Sequence, residues 1–355
     1  MEKLKRSLGS FVVPLLSILL AFIIGGIIMA ALGADPFAAV KYLFQGAFGS
    51  KGNIGTTLTK ATPLMFTSLC ACFAYKCGVF NLGGEGQFLM GSIAAFLTAY
   101  FTGATGFVGI VLALLAGTLA GGIWGMIPGV LKITRGQNEM IISIMLNYVA
   151  TLFMGVLYTN WIRDASVPQT PAVDDLVKLP RVIQGMRFTW GFVIAVVVGL
   201  LLYYVLFWTS SGFKLRAVGY NMTASRFNGI HVKRCMLASF IVSGAIAGLG
   251  GGAELLGTQF RLINGFGAGY GFDGVAMALI GQLHPIATMV VALFFAVLRV
   301  GSTTMQAATG VPTSVSDIIQ ALVIVFSVAG MALTKLPEFQ AWKDRVFSKR
   351  KAGDK

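Results

Sequence analysis

Ten runs of mainly apolar residues cover most of this 355-residue chain: 11–32, 58–78, 86–103, 107–131, 140–159, 189–208, 235–256, 272–284, 286–301 and 314–333. A helix needs about 20 such residues to cross a bilayer. No low-complexity tract or separate soluble domain lies between the runs. The chain is 56% hydrophobic and 11% charged, with a mean hydropathy of +0.80; a soluble domain carries about 25% charged residues. The expected fold class is all-α: a polytopic membrane helical bundle of about ten transmembrane segments. Run 272–284 is too short to cross alone and reads as a half-helix. The 45 glycines lack a Gly-X-Y period, and in lipid they favour close helix packing and broken helices.

Lys3, Lys5 and Arg6 precede the first run as in a secretory signal, but 22 apolar residues exceed a typical signal core and Leu32 spoils the cleavage site. It reads as an uncleaved anchor. With the N-terminus inside, 18 of the 27 Lys and Arg residues fall inside and 9 outside, counting Arg299 as outside although it stands at the end of its run. This bias places both termini in the cytoplasm. The expected division is a cytoplasmic N-terminus at 1–10, a transmembrane domain at 11–333 with a cytoplasmic loop at 209–234, and a basic cytoplasmic tail at 334–355. The tail is expected to lie against membrane lipid. Residues 33–57 read as external and partly amphipathic, a helix lying on the membrane, and 160–188 as a second external connection. The formal charge of +14 is divided among short loops, which fits membrane topology and not nucleic-acid binding. Cys70, Cys72, Cys77 and Cys235 sit in apolar surroundings and read as buried free thiols. Two histidines, His231 and His284, give a metal site no support.

Two glycine-rich interruptions carry polar residues into this oily background. The first, "GVFNLGGEGQ" at 78–87, holds Asn81, Glu85 and Gln87. It is either a turn between helices, with Glu85 as an N-terminal carboxylate, or a helix break beside a polar path, where irregular backbone is tolerated at membrane depth. The second, "NGFGAGYGFDG" at 264–274, ends in Asp273, which reads as an N-cap or as part of a matching break. Ser143, Asn147 and Thr151 share one face of a membrane helix, to bond a neighbouring helix or to face a polar substrate. Glu254 is expected to reach the headgroups, and Asp317 with Ser314 to cap the last helix. Gly117, Gly121, Gly125 and Gly129 recur every four residues, as do Gly244, Gly248 and Gly252; both stripes are expected to admit another backbone.

The loop "SGFKLRAVGYNMTASRFNGIHVKR" at 211–234 has five Lys or Arg and no acid. Topology alone accounts for that charge, but the loop is also patterned. Gly219 and Asn221 offer a turn and a cap, Ala224–Phe227 a short helix, and Gly229 its end. A short capped helix displayed in the cytoplasm suits docking to a partner. The chain has no GxxxxGK[ST] loop, no His-based metal cluster and no convergent catalytic set. It is therefore not expected to be an enzyme, nor to bind a cofactor itself.

Four stretches, "GVFNLGGEGQFLMG" (78–91), "NEMIISIMLNYVA" (138–150), "LRAVGYNMTASRFNGIHVKR" (215–234) and "YGFDGVAMALIGQLHP" (270–285), together resemble the membrane permease of bacterial ABC importers in the branched-chain amino acid, ribose and nucleoside superfamily. The form FN-x-G-x-EGQ looks like the nucleoside-type branch. Ribose-type permeases tend to carry a "GGIDLS"-like stretch there. The resemblance spans roughly residues 57–333. It implies a multi-pass protein of the bacterial plasma (inner) membrane. ATP and Mg would be bound by a separate cytoplasmic ABC ATPase. A second permease subunit would complete a heterodimer, and an extracytoplasmic lipoprotein would deliver substrate. By the same resemblance Gly219, Asn221, Ala224, Ser225, Arg226, Gly229 and Ile230 belong to a coupling helix that enters the ATPase. Phe80, Asn81, Glu85, Gln87, Ser143, Asn147 and Asp273 are the expected pathway residues, with Phe80 offering a face to a base. The competing readings are a simple sugar such as ribose as cargo, or an ion-coupled transporter with Glu85 or Asp273 carrying a proton.

Overall fold

The computed structural model describes residues 2–164, 167–183, 185–267 and 269–333. The basic tail expected at 334–355 lies outside the described residues. Thirteen α-helices are present among those described: α1 (Glu2–Ala31), α2 (Pro36–Phe48), α3 (Lys51–Lys76), α4 (Gly84–Phe101), α5 (Gly106–Arg135), α6 (Glu139–Val156), α7 (Trp190–Trp208), α8 (Ser210–Tyr220), α9 (Met222–Phe227), α10 (Val232–Glu254), α11 (Tyr270–Ile280), α12 (Pro285–Thr309) and α13 (Ser314–Leu333). Extended structure among these residues is limited to two isolated bridges, Gln169 to Ile263 and Arg181 to Thr189.

Each of the ten apolar runs falls on a helix. By length and composition five elements suffice to cross a bilayer: Gly106–Arg135, Glu139–Trp161, Trp190–Trp208, Val232–Gln259 and Pro285–Thr309. Leu15–Ala31 and Pro36–Phe48 form a pair bent by 117° that adds a sixth candidate. The chain is a multi-pass helical membrane protein. The short run at 272–284 falls on α11, an apolar helix of 11 residues. Arg299 lies inside α12, not in an external loop.

The chain divides into two compact units. One comprises the residues up to Gly46 with those from Gly301 onward. In it α1 packs on α13, where a Cβ on Gly25 would strike the Ile319 side chain, and α13 begins at Ser314 with Asp317 in its first turn. The other, Ala47–Val300, is built around α3, α4, α5 and α10. Here the two glycine stripes meet. A Cβ on Gly121 would lie 2.6 Å from the Gly248 Cα, and one on Gly125 would lie 2.6 Å from the Phe240 carbonyl oxygen. Gly91 brings α4 onto Gly248 as well. Such spacing leaves no room for side chains, so the helices touch backbone to backbone.

The connection between α6 and α7 folds back along the end of α10. Thr170 N donates to the Leu262 carbonyl at 3.0 Å, Val173 N to Phe260 at 2.8 Å and Leu179 N to Leu256 at 2.8 Å. Cys70, Cys72 and Cys77 are buried free thiols as expected, whereas Cys235 is only half-buried at the start of α10.

Candidate functional site

The interruption at 78–87 is a true break. α3 runs to Lys76 and stops at Gly78, whose φ of +76° suits a residue without a Cβ. Six residues after Gly78, α4 starts at Gly84. Its N-cap is Gly83, which has no side chain to satisfy the first-turn N–H groups. That role falls to another helix. Asn147 of α6 accepts from Gly86 N at 2.8 Å through Oδ1 and donates to the Leu82 carbonyl at 2.9 Å through Nδ2.

Asn81 and Gln87 pair amide to amide across the break, exchanging two hydrogen bonds of 3.0 Å. Asn81 also donates to Ser243 Oγ of α10 at 2.8 Å and accepts from Gly83 N at 3.0 Å. With two donations and two acceptances its hydrogen-bonding capacity is filled. Both amides are 1% exposed. The pair therefore clamps the break in shape.

The second interruption is held by the first. α11 has Gly269 as its N-cap, again without a side-chain cap, and Gly269 N donates to Glu85 Oε1 at 3.1 Å. A Cβ on Gly271 would collide with the Glu85 backbone, so the starts of α4 and α11 meet directly. Glu85 thus brings a carboxylate to two helix N-termini. Asp273 is not the N-cap that its place in the sequence suggests. It sits in the first turn of α11 and pairs with Arg299 of α12. Arg299 also lies 5.7 Å from the Tyr270 ring centroid, and Tyr270 meets Phe88 edge-on at 5.9 Å.

The structure thus gathers Asn81, Glu85, Gln87, Asn147 and Asp273 at one junction. Ser143, one turn before Asn147, is buried, and its Oγ finds no hydrogen-bond partner among the described residues. Phe80 stands apart from the amides, edge-on to Tyr75 at 5.0 Å and 45% exposed. Thr151 is exposed, and its hydroxyl bonds back to the Asn147 carbonyl at 3.0 Å. Glu254 departs from expectation. It is 2% exposed and accepts from Gln259 Nε2 at 3.3 Å, so it faces protein and not headgroups. The π-helical turn Leu255–Gln259 that extends α10 curls Gln259 back towards it. Ser243 and Tyr270 escaped the sequence reading, and Arg299 entered it only as a charge in the topology count. Ser239 and Ser243, four residues apart and running into the glycine stripe of α10, were the available signal for the first.

The loop helix is present as α9. Asn221 is its N-cap, accepting from Ala224 N at 2.9 Å, and Gly229 ends it at φ +76°. Ile230 N closes the turn onto the Ser225 carbonyl at 3.0 Å. Arg226 and Phe227 project outward, Phe227 being 87% exposed. Two residues differ from expectation. Ser225 is buried and faces inward. Gly219 is not a turn but part of the last turn of α8, and its missing Cβ makes room for the Lys76 carbonyl. A Cβ on Gly78 would lie 3.2 Å from the Gly219 Cα, so the loop leans on the first residues of the break.

The family described as branched-chain amino acid transport system / permease component matches residues 53–328, which contain every element of this junction. The chain belongs to that permease family. The permease is 32% identical over 334 residues to the guanosine ABC transporter permease protein NupP of Bacillus subtilis, covering 92% of this chain and 96% of the relative. It is 32% identical over 352 residues to the nucleoside ABC transporter permease protein NupB of Lactococcus lactis, covering 96% of each. It is also 33% identical over 325 residues to the glucose ABC transporter permease protein TsgB13 of Haloferax volcanii, covering 88% of this permease and 86% of the relative. No solved structure matches the permease.

Proposed function

We propose that this chain is the membrane-spanning subunit of an ATP-driven importer of nucleosides in a bacterial plasma membrane. The observation that carries the reading is the end-to-end similarity to permeases named for guanosine and for nucleosides. The junction is compatible with it. A nucleoside is neutral and presents hydroxyls and base edges, and the groups with spare capacity here include the Ser143 hydroxyl, the second carboxylate oxygen of Glu85 and the half-exposed Phe80 ring. Asn81, Gln87 and Asn147 hold the break, while Glu85 and Asp273 set the starts of the helices that flank the path.

In this reading the chain crosses ten times, with the short α11 as one of the ten segments, and both termini lie in the cytoplasm. α9 docks on a cytoplasmic ABC ATPase that binds ATP and Mg. Arg226 is the residue through which it couples. A second permease subunit completes the path and an extracytoplasmic lipoprotein delivers the nucleoside. The similarity to a glucose permease favours a second reading, the same machine with a sugar as cargo. Uptake of radiolabelled guanosine, adenosine, uridine, ribose and glucose into vesicles holding the four components, with and without internal ATP, decides between them. ATP-dependent nucleoside uptake that sugars do not compete is expected. Sugar uptake would replace the cargo, and uptake without ATP would replace the machine.

A further inference from the structure

Three cationic or ionisable groups converge on one aromatic ring at the end of α7. The Phe207 centroid lies 5.9 Å from the Lys76 Nζ and 5.0 Å from the Arg216 Cζ. His284, in the turn between α11 and α12, packs against the same ring at 5.3 Å and against Tyr203 at 5.4 Å. All five side chains are half-buried. Cation–π contact is worth about 0.5–2 kcal/mol and leaves the charges unneutralised.

No carboxylate answers them. The ion pairs among the described residues are Lys132–Glu139, Lys178–Asp175 and Arg299–Asp273. The Arg216 Nε is shielded from solvent and has no acceptor among the described residues. Topological bias puts Lys and Arg in loops, where water solvates them. It does not draw two of them, from α3 and α8, onto one half-buried ring with a guanidinium N–H left unmatched. Such a donor buried without an acceptor is costly, and a phosphate oxygen would relieve it while balancing both charges.

We propose that Lys76, Arg216 and His284 form a binding site for a phosphate-bearing anion, occupied by the headgroup of an anionic phospholipid. Lipid is favoured as the source because Tyr204 and Trp208, on the same end of α7, are exposed; such aromatics populate the headgroup level of a bilayer. Basic pockets between transmembrane helices recognise lipid phosphates in this way. The proposal is independent of the cargo.

The test is titration of the purified full-length chain, in neutral detergent, with phosphatidylglycerol, phosphatidylcholine or inorganic phosphate, bound lipid being read by native mass spectrometry. Phosphatidylglycerol is expected to remain bound, and Lys76→Gln with Arg216→Gln to weaken it at least about ten-fold. Removing two charges from exposed positions, Lys214→Gln with Lys233→Gln, should leave binding unchanged. If the double variant does not fold, Lys76→Gln alone should weaken binding several-fold. Equal loss in the control pair, or no loss in the site variants, overturns the site. Displacement by inorganic phosphate at matching concentration overturns lipid as the occupant.

Discussion

At Asn81 a single side chain joins the break to α4 and α10, through Gln87 and Ser243. Asn81→Leu strands the Gln87 amide in a dry site. An unmatched buried polar group costs about 1–3 kcal/mol, so the thermal unfolding midpoint of the purified chain should fall, and Asn147→Ala, which frees Gly86 N and the Leu82 carbonyl, should lower it as well. Arg299 and Asp273 call for a different comparison. Arg299→Met alone leaves a partly buried carboxylate beside the membrane interior, a loss of about 3–5 kcal/mol for a fully buried pair and less here, where both partners keep some exposure. Adding Asp273→Asn should restore part of that loss. A double variant no more stable than Arg299→Met would show that the pair does not couple. The sequence marks Asn81, Gln87 and Asp273 as unusual, because polar residues in apolar runs need a reason. It cannot name their partners, since Ser243 lies 162 residues from Asn81 and Gly269 lies 184 residues from Glu85.

Helices α4 and α11 have a common construction: each begins on a glycine without its own cap and borrows a polar side chain from another helix. The break at 78–87 is legible as punctuation, while the borrowed cap is a tertiary event that no local propensity encodes. The glycine stripes are the opposite case. A four-residue period is sufficient to place them on one face, and α5 and α10 meet there as the period requires. Gly121→Ala should therefore drive backbone into backbone and sharply reduce folded protein in fluorescence-detected size exclusion. Gly155→Ala on α6, where a Cβ would find only the Tyr158 hydroxyl at 3.9 Å, should be tolerated. On α9, Arg226→Glu should leave membrane insertion intact and abolish transport-coupled ATP hydrolysis by the assembled importer. Transport at the normal rate would exclude that helix from coupling. Gly219→Ala would push α8 off the Lys76 carbonyl at the start of the break, and should lower transport per ATP while ATP hydrolysis itself persists.

At the scale of the whole chain, the Lys and Arg distribution predicts which side each loop faces. In a Cys235→Ala background, where the remaining thiols are buried, Thr223→Cys should react with an impermeant maleimide in inverted vesicles and not in intact cells; the reverse would turn the proposed topology over. Helix class, and the placement of the ten apolar runs on helices, were open to reading because hydrocarbon thickness sets a length that sequence can be measured against. The grouping of residues up to Gly46 with those from Gly301 onward was not, since nothing local in either end announces the other. The paired glycine stripes also set a timetable for biogenesis. Gly121 and Gly244 are more than a hundred residues apart, and at about 5–20 residues per second the ribosome takes roughly 6–25 s to deliver the second after the first. Through that interval α5 waits in the bilayer with an unfilled backbone groove, and whatever shields it then, a lipid chain or an insertion factor, has to leave before the permease can close around its own centre.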